Sequence, residues 1–115
     1  MSRKYKIRDQ DDLHFLSYAV VGWVDALSRP QYKDIIVQSL AYCQREKGLQ
    51  LFAWCIMSNH VHLIAKAAEG CKLQDILRDH KKHTAREVVR SIKENPQESR
   101  KDWWSKRITT AIPVQ

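Results

Sequence analysis

Apolar positions along the chain follow two different periods, and these predict three strands and two helices. A run rich in aromatic and β-branched residues at 14–24 predicts a first strand. An almost wholly apolar run at 49–57 predicts a second strand that is covered on both faces. The segment 60–65 predicts a third strand. Because Ser58-Asn59 between the last two is typical of a tight turn, these two strands are predicted to form a hairpin.

The two helices are marked by apolar residues at helical spacing. The first is predicted to begin at Ser28-Arg29-Pro30, where a hydroxyl is available for capping and proline is tolerated in the first turn. Gly48 is expected to end it, because glycine accepts the left-handed conformation that follows many helices. The second helix is predicted over 72–93, before Asn95-Pro96. The expected buried positions are Tyr32, Ile35, Ile36, Leu40 and Cys43 in the first helix and Leu73, Ile76, Leu77 and Val88 in the second.

The order β-α-β-β-α predicts an α+β fold of the ferredoxin-like type, with an antiparallel sheet and the helices packed on one face. The 115 residues are expected to form a single domain, 1–115, with its core at about 14–95. After Trp103-Trp104 the pattern of apolar positions ends, which makes the C-terminal part of the domain a candidate for truncation.

The positive net charge of the chain favours a negatively charged partner. The chain has 20 Lys and Arg against 13 Asp and Glu, a formal charge of +7, which suits a polyanion because each neutralised phosphate releases counterions. No apolar run approaches the roughly 20 residues of a membrane helix, and the N-terminus lacks the apolar stretch of a signal peptide. Three widely spaced cysteines predict a reducing compartment without a disulfide framework. We therefore expect a cytoplasmic protein with no membrane partner.

His60 and His62 are the clearest candidates for chemistry. They lie two apart on a predicted strand, so both side chains should project from the same face. Two neighbouring imidazoles on a rigid surface are a ready metal-binding pair, and a divalent cation there can polarise a phosphodiester. The same pattern also occurs among structural histidines, and that alternative stays open.

The second helix offers a third ligand. His80, His83 and Glu87 lie three and four residues apart, so they are neighbours on the helix surface. Since this stripe continues the apolar line from Leu73 through Leu77, we expect it to face the sheet. The alternative is a polar patch that the C-terminal part of the chain covers.

The same helix carries basic residues at helical spacing. Such a stripe is often only a solvated face, but beside a metal centre it is better explained as a track for phosphates. The predicted contacts to DNA are Arg78, Lys81, Lys82, Arg86 and Arg90.

The octet 57–64, MSNHVHLI, resembles the signature of the small single-strand tyrosine transposases of the histidine-hydrophobic-histidine (HUH) type. These include the insertion-sequence transposases and their REP-associated relatives. The segments at 52–56 (FAWCI), 20–24 (VVGWV) and 81–87 (KKHTARE) are similar to that family as well. The resemblance covers roughly residues 14–104, and the octet is its most specific part.

The resemblance implies a ferredoxin-like fold in which His60 and His62 hold Mg²⁺ or Mn²⁺. A polar residue one turn beyond the nucleophile commonly completes the site in this family, and Glu87 occupies that place here. A helix tyrosine is implied to attack single-stranded or hairpin DNA during transposition, forming a 5′-phosphotyrosine link that a 3′-hydroxyl later reverses. Many members act as dimers, so a homodimer is also to be considered.

The sequence departs from this pattern at the nucleophile. His83 stands where the tyrosine is expected, and no tyrosine follows Tyr42. One hypothesis is therefore a metal-dependent transposase that cleaves and transfers DNA strands, with His83 at the nucleophile position, since histidine can serve in covalent catalysis. The other is a catalytically inactive nucleic-acid-binding remnant of the family.

Overall fold

The computed structural model describes residues 12–19 and 26–98. Within these ranges the order β-α-β-β-α is confirmed. The elements are β1 (His14–Ala19), α1 (Pro30–Glu46), β2 (Leu49–Ile56), β3 (His60–Ala67) and α2 (Leu73–Glu94). The predicted continuation of the first strand over 20–24 lies outside the described residues. So does the C-terminal region around Trp103-Trp104, and its truncation stays a prediction.

The three strands form one antiparallel sheet in the order β1-β3-β2, with β3 in the middle. Side chains along β3 alternate between buried and half-buried, and Val61 and Leu63 are almost fully buried. Leu16 of β1 lies opposite Leu63 and is buried on the same side. The helices cover this side, and none of the elements at 12–19 and 26–98 covers the other side, which we call the open face.

The second strand differs from the expectation of cover on both faces. Phe52 and Trp54 are 59% and 55% exposed, and the pairing with β3 shifts between Leu51 and Ala53, which marks an irregularity at Phe52. The prediction was wrong because β2 lies outermost in the described sheet, where the helices bury only part of one face. An apolar run of this length does not tell an outer strand from a central one.

Each helix buries one side against the sheet, as the spacing predicts. Tyr32, Ile36, Leu40 and Cys43 are buried on α1, and the buried row of α2 includes Leu73, Ile76, Leu77 and Val88. None of the helices that the structure describes is long and apolar enough to cross a membrane.

The ends of α1 are only partly as predicted. Its N-cap is Arg29, and no side chain caps it, so the expected role of the Ser28 hydroxyl was wrong; proline does occupy the first turn. Gly48 has a φ of +83°, which confirms the left-handed conformation after the helix. A Cβ there would also lie 2.5 Å from Sγ of Cys71, so both conformation and space require glycine.

A buried carboxylate joins the segment that follows α2 to the start of α1. Glu98 accepts hydrogen bonds at Oε2 from Arg29 Nε at 2.8 Å and from the Tyr32 hydroxyl at 3.2 Å. Asn95 Nδ2 donates to that same hydroxyl at 3.0 Å. The Glu98 side chain is 2% exposed and that of Arg29 is 37% exposed, so the carboxylate is shielded from water while Arg29 keeps part of its contact with solvent.

We expect Glu98→Gln to lower the free energy of unfolding by about 2 kcal/mol, because it leaves Arg29 without a charged partner and weakens a buried hydrogen bond. Urea denaturation of both proteins measures the difference. Gln97→Ala, at the neighbouring exposed position, is the matched control and should change stability by less than about 0.5 kcal/mol. Equal stability of Glu98→Gln and the unsubstituted protein would contradict this account of the ion pair.

Candidate functional site

β3 places His60 and His62 side by side on the open face of the sheet. Val61 and Leu63, which alternate with them, are buried beneath the helices, so the two imidazoles must project to the opposite side. Their ring centroids lie 4.6 Å apart, and the rings are nearly perpendicular, at 89°. The structure thus confirms that both histidines leave the same face of one strand.

The turn before β3 orients the first imidazole. Nδ1 of His60 lies 2.7 Å from Oδ1 of Asn59, and because that oxygen can only accept, the imidazole donates its Nδ1 proton. A neutral imidazole that donates from Nδ1 carries its lone pair on Nε2. Asn59 therefore selects the tautomer of His60, which is the role that a hydrogen-bonding neighbour commonly plays for a metal-binding histidine.

The second imidazole has an unsatisfied nitrogen. Nδ1 of His62 is buried and has no hydrogen-bond partner in the part of the chain that the structure describes. The ring of Phe15 packs beside it, with centroids 5.9 Å apart, while Ser17 and Cys55 lie opposite His62 on the flanking strands. Buried polar atoms in native proteins nearly always have partners, so this nitrogen is an exception within the described ranges.

Glu87 does not join the histidine pair. It forms an ion pair with Arg90 and lines a shallow polar groove between α1 and α2, with Gln31 and Ile35 on the other side. Over 12–19 and 26–98, no group of three or more His, Cys, Asp or Glu is arranged to hold a metal ion. The expected convergence failed because α2 packs on the covered face of the sheet, whereas the histidines project from the open one.

His80 is a histidine of the core. It is 1% exposed, and its Nε2 and Nδ1 lie 2.5 Å from the Tyr18 hydroxyl and 2.8 Å from the Ser39 hydroxyl. Burial, together with the nearby positive charge of Lys81, lowers the pKa of His80 to about 4. The imidazole is thus neutral near pH 7, with one nitrogen donating and the other accepting, and it joins β1 and α1 to α2.

His83 is exposed on the outer part of α2, so the expectation that the whole stripe faces the sheet was wrong. The buried row of this helix runs through His80, Thr84 and Val88. His83 and Glu87 each precede a member of that row by one residue, which turns them by about 100° around the helix axis. This rotation aims them away from the sheet.

The described tyrosines are also distant from the open face. Tyr18 lies opposite Val61 in the register and bonds to His80, so it is on the covered side. Tyr32 is buried against Glu98, and Tyr42 is exposed on α1. Among the described residues, therefore, no tyrosine hydroxyl stands beside the histidine pair.

The basic residues of α2 differ from one another in their surroundings. Arg78 forms ion pairs with Asp75 and Asp79, and Arg90 pairs with Glu87. Lys81 is half-buried, with its ammonium group 5.4 Å from the centre of the Tyr18 ring, and burial lowers its pKa.

Lys82 and Arg86 lie on the side of α2 turned away from its buried row and form no ion pair with a described residue. The body of α2 and the sheet both lie between these two basic side chains and the histidine pair. The expectation that the basic stripe runs beside the histidines was therefore wrong, because it assumed that α2 and the histidines share a face.

The sequence matches a family model described as transposase IS200 like, over residues 25–111. The match spans α1, the β2–β3 hairpin with the histidine pair, and α2. The chain belongs to the IS200-like transposase family. This membership shows a transposase-type function with DNA as the partner. No curated protein sequence matches this family member closely enough to be compared with it.

Sequence reasoning missed three features of this IS200-like transposase-family chain. The contact of Asn59 with His60 was readable in principle, because an amide precedes the histidine in the turn. The other two features are the contact of Phe15 with His62 and the burial of His80 by Tyr18 and Ser39. His80 lies 62 positions from Tyr18 and 41 positions from Ser39 in the sequence. Such pairings depend on strand register and helix rotation, for which the sequence carried no local signal.

Proposed function

We propose that this chain binds single-stranded or hairpin DNA on the open face of its sheet, with Mg²⁺ or Mn²⁺ held by His60 and His62 beside a bound phosphate. One observation carries the proposal: two imidazoles in edge-to-face contact lie on the sheet face opposite the helices in a member of the IS200-like transposase family. DNA transposition is the process in which this binding would serve.

The chemistry of the two imidazoles fits such an ion. The lone pair of His60 is directed to Nε2 by Asn59, and His62 holds a buried nitrogen without a described partner. With only two protein ligands, most coordination positions of the ion remain for waters and for oxygens of a substrate phosphate, which are ligands that Mg²⁺ and Mn²⁺ favour. When bound, the cation would polarise a phosphodiester and stabilise charge on the leaving oxygen.

The protein's own residues supply rigidity and orientation. Val61 and Leu63 anchor β3 in the core, so the backbone positions of the two histidines that alternate with them are fixed relative to each other. Asn59 holds the ring of His60 by its Nδ1 proton. A site preorganised in this way loses little conformational entropy when a phosphate binds.

The basic residues of α2 have a separate role in this proposal. Arg78, Lys81, Lys82, Arg86 and Arg90 give the helix a positive surface, in which Arg78 and Arg90 are ion-paired and Lys82 and Arg86 form no ion pair with a described residue. Because they lie beyond the sheet from His60 and His62, their contribution is to attract DNA and to contact phosphates outside the site. Contacts of this kind position DNA without reading its sequence.

Strand cleavage and transfer complete the proposed function, with His83 as the residue at the nucleophile position by resemblance. The second candidate function is DNA binding without cleavage. The positions of Tyr18, Tyr32 and Tyr42 and the exposed location of His83 on α2 favour it, because neither a described tyrosine nor His83 lies against the histidine pair. Binding on the open face is common to both candidates.

A hairpin-bearing, end-labelled single strand separates the two candidates. We expect Mn²⁺ to raise the affinity of the unsubstituted protein about tenfold over that in EDTA, and the double variant His60→Ala, His62→Ala to lose this gain. Glu87→Ala is the matched control and should keep it. A cut strand with a covalent protein–DNA adduct supports cleavage, and metal-dependent binding without a cut supports the second candidate. Binding that is indifferent to Mn²⁺ would contradict both.

A further inference from the structure

Phe15 is an aromatic side chain on the open face of the sheet. It is 68% exposed, although the residue that follows it on β1, Leu16, is 4% exposed on the covered side. Single exposed apolar residues are common on protein surfaces. What distinguishes Phe15 is its place, since it stands on the same sheet face as the candidate site.

The ring of Phe15 contacts the candidate site directly. Its centroid lies 5.9 Å from that of His62, and the two planes are tilted by 39°. In the register Phe15 lies opposite Ile64, which places it diagonally across from His62 on the neighbouring strand, within reach for an aromatic side chain. The exposed side of the Phe15 ring is thus an apolar surface at the edge of the histidine pair.

We propose that Phe15 is a stacking platform for one base of single-stranded DNA, namely the base of a nucleotide whose phosphate lies at His60 and His62. This inference rests on the proposed function. A base is joined to its own phosphate through a single sugar, so a strand held at the histidines can bring a base onto the Phe15 ring, whose centroid lies 5.9 Å from that of His62. Aromatic side chains bind unpaired bases in this way with little preference for sequence, because every base has a π-face.

The surroundings favour a nucleic-acid strand over a protein partner or a second copy of the chain. The apolar ring is bordered by His62, and Lys66 lies further along β3 at a position that alternates with the buried residues. The chain as a whole carries a formal charge of +7, which attracts a phosphate backbone and repels a second copy. A ring next to cationic and hydrogen-bonding groups is the combination that recognises single strands.

The test compares Phe15→Ala with Trp54→Ala. Trp54 is also aromatic and 55% exposed, but it lies opposite Leu63 in the register and so belongs to the covered side of the sheet. Two probes are used: a mixed-sequence single strand and an abasic strand with the same sugar–phosphate backbone. Circular dichroism first verifies that both variants are folded, which the exposure of each ring leads us to expect.

We expect Phe15→Ala to weaken binding of the strand with bases at least about tenfold and to leave binding of the abasic strand unchanged. Trp54→Ala should leave both unchanged, and Phe15→Trp should restore binding, with quenching of the introduced indole. An equal loss on both strands, or no difference between the two alanine variants, would overturn the stacking role. So would an effect of Phe15→Ala on self-association alone, measured by sedimentation. Failure of the unsubstituted protein to bind either strand would instead reject the proposed function.

Discussion

Lowering the pH from 7 to 4 is expected to cost the unsubstituted protein about 3 kcal/mol more unfolding free energy than it costs a His80→Gln variant. The pKa of His80 is lowered from its ordinary 6.5 to about 4, chiefly because the side chain is buried. Between pH 6.5 and pH 4 the His80 imidazole binds a proton in the unfolded chain but not in the folded protein. Stability due to this group is therefore lost as the pH falls through that window, and it levels off below pH 4.

The hydrogen-bond partners of His80 provide a control variant for this measurement. Tyr18 and Ser39 bond to its two nitrogens, and the charges of Lys81 and His83 also oppose its protonation. Urea unfolding at several pH values should show Ser39→Ala with the same pH dependence as the unsubstituted protein, since it keeps the buried imidazole. His80→Gln should be less stable at pH 7 but have a flatter profile. Parallel profiles for all three proteins would show that His80 is not a buried neutral imidazole.

Replacing either histidine of the pair is expected to lower the affinity for Mn²⁺ by more than about 100-fold. Loss of a group that merely orients a ligand typically costs 10- to 100-fold, and His60→Ala or His62→Ala removes a proposed ligand itself. Asn59→Ala removes only the acceptor for the Nδ1 proton of His60, so its loss should fall within that smaller range. Isothermal titration of the protein without DNA measures all three.

Glu87→Ala is the decisive control for this series. Its carboxylate pairs with Arg90 in the groove between α1 and α2, across the sheet from the histidine pair. Its removal should therefore leave the affinity for Mn²⁺ unchanged. If Glu87→Ala weakened binding as much as His60→Ala, the site would be the three-ligand arrangement that the sequence predicts and the structure does not contain. Unchanged affinity in both histidine variants would place any bound cation elsewhere.

The elements of the fold could be predicted because their signals are local. The helical period of α2 and the tight turn at Ser58-Asn59 depend only on neighbours in sequence. The exposure of Phe52 and Trp54 could not be predicted, since it follows from the sheet order β1-β3-β2, in which β2 is not central. Hydrophobic character alone gives no information on which strand lies in the middle.

The histidine pair of the candidate site could be predicted from local signals, but the position of Glu87 could not. The shared face of His60 and His62 follows from the two-residue period of a strand, and the structure places both rings together. The assignment of Glu87 required in addition the face of the sheet on which α2 packs. That choice is made by Val61 and Leu63, which bury themselves beneath the helices and thereby send the histidines to the other side. Packing across the whole domain, not spacing along the chain, decides which groups meet.

Pulsed electron paramagnetic resonance of Mn²⁺ bound to the unsubstituted protein tests directly whether His60 and His62 hold the cation. Coordination by the two imidazoles predicts nitrogen hyperfine coupling in the bound-ion spectrum, reduced in His62→Ala and absent when both histidines are replaced, with Glu87→Ala unchanged. A bound-ion spectrum without nitrogen coupling, or one that persists in the double variant, would contradict a cation site on the open face of the sheet.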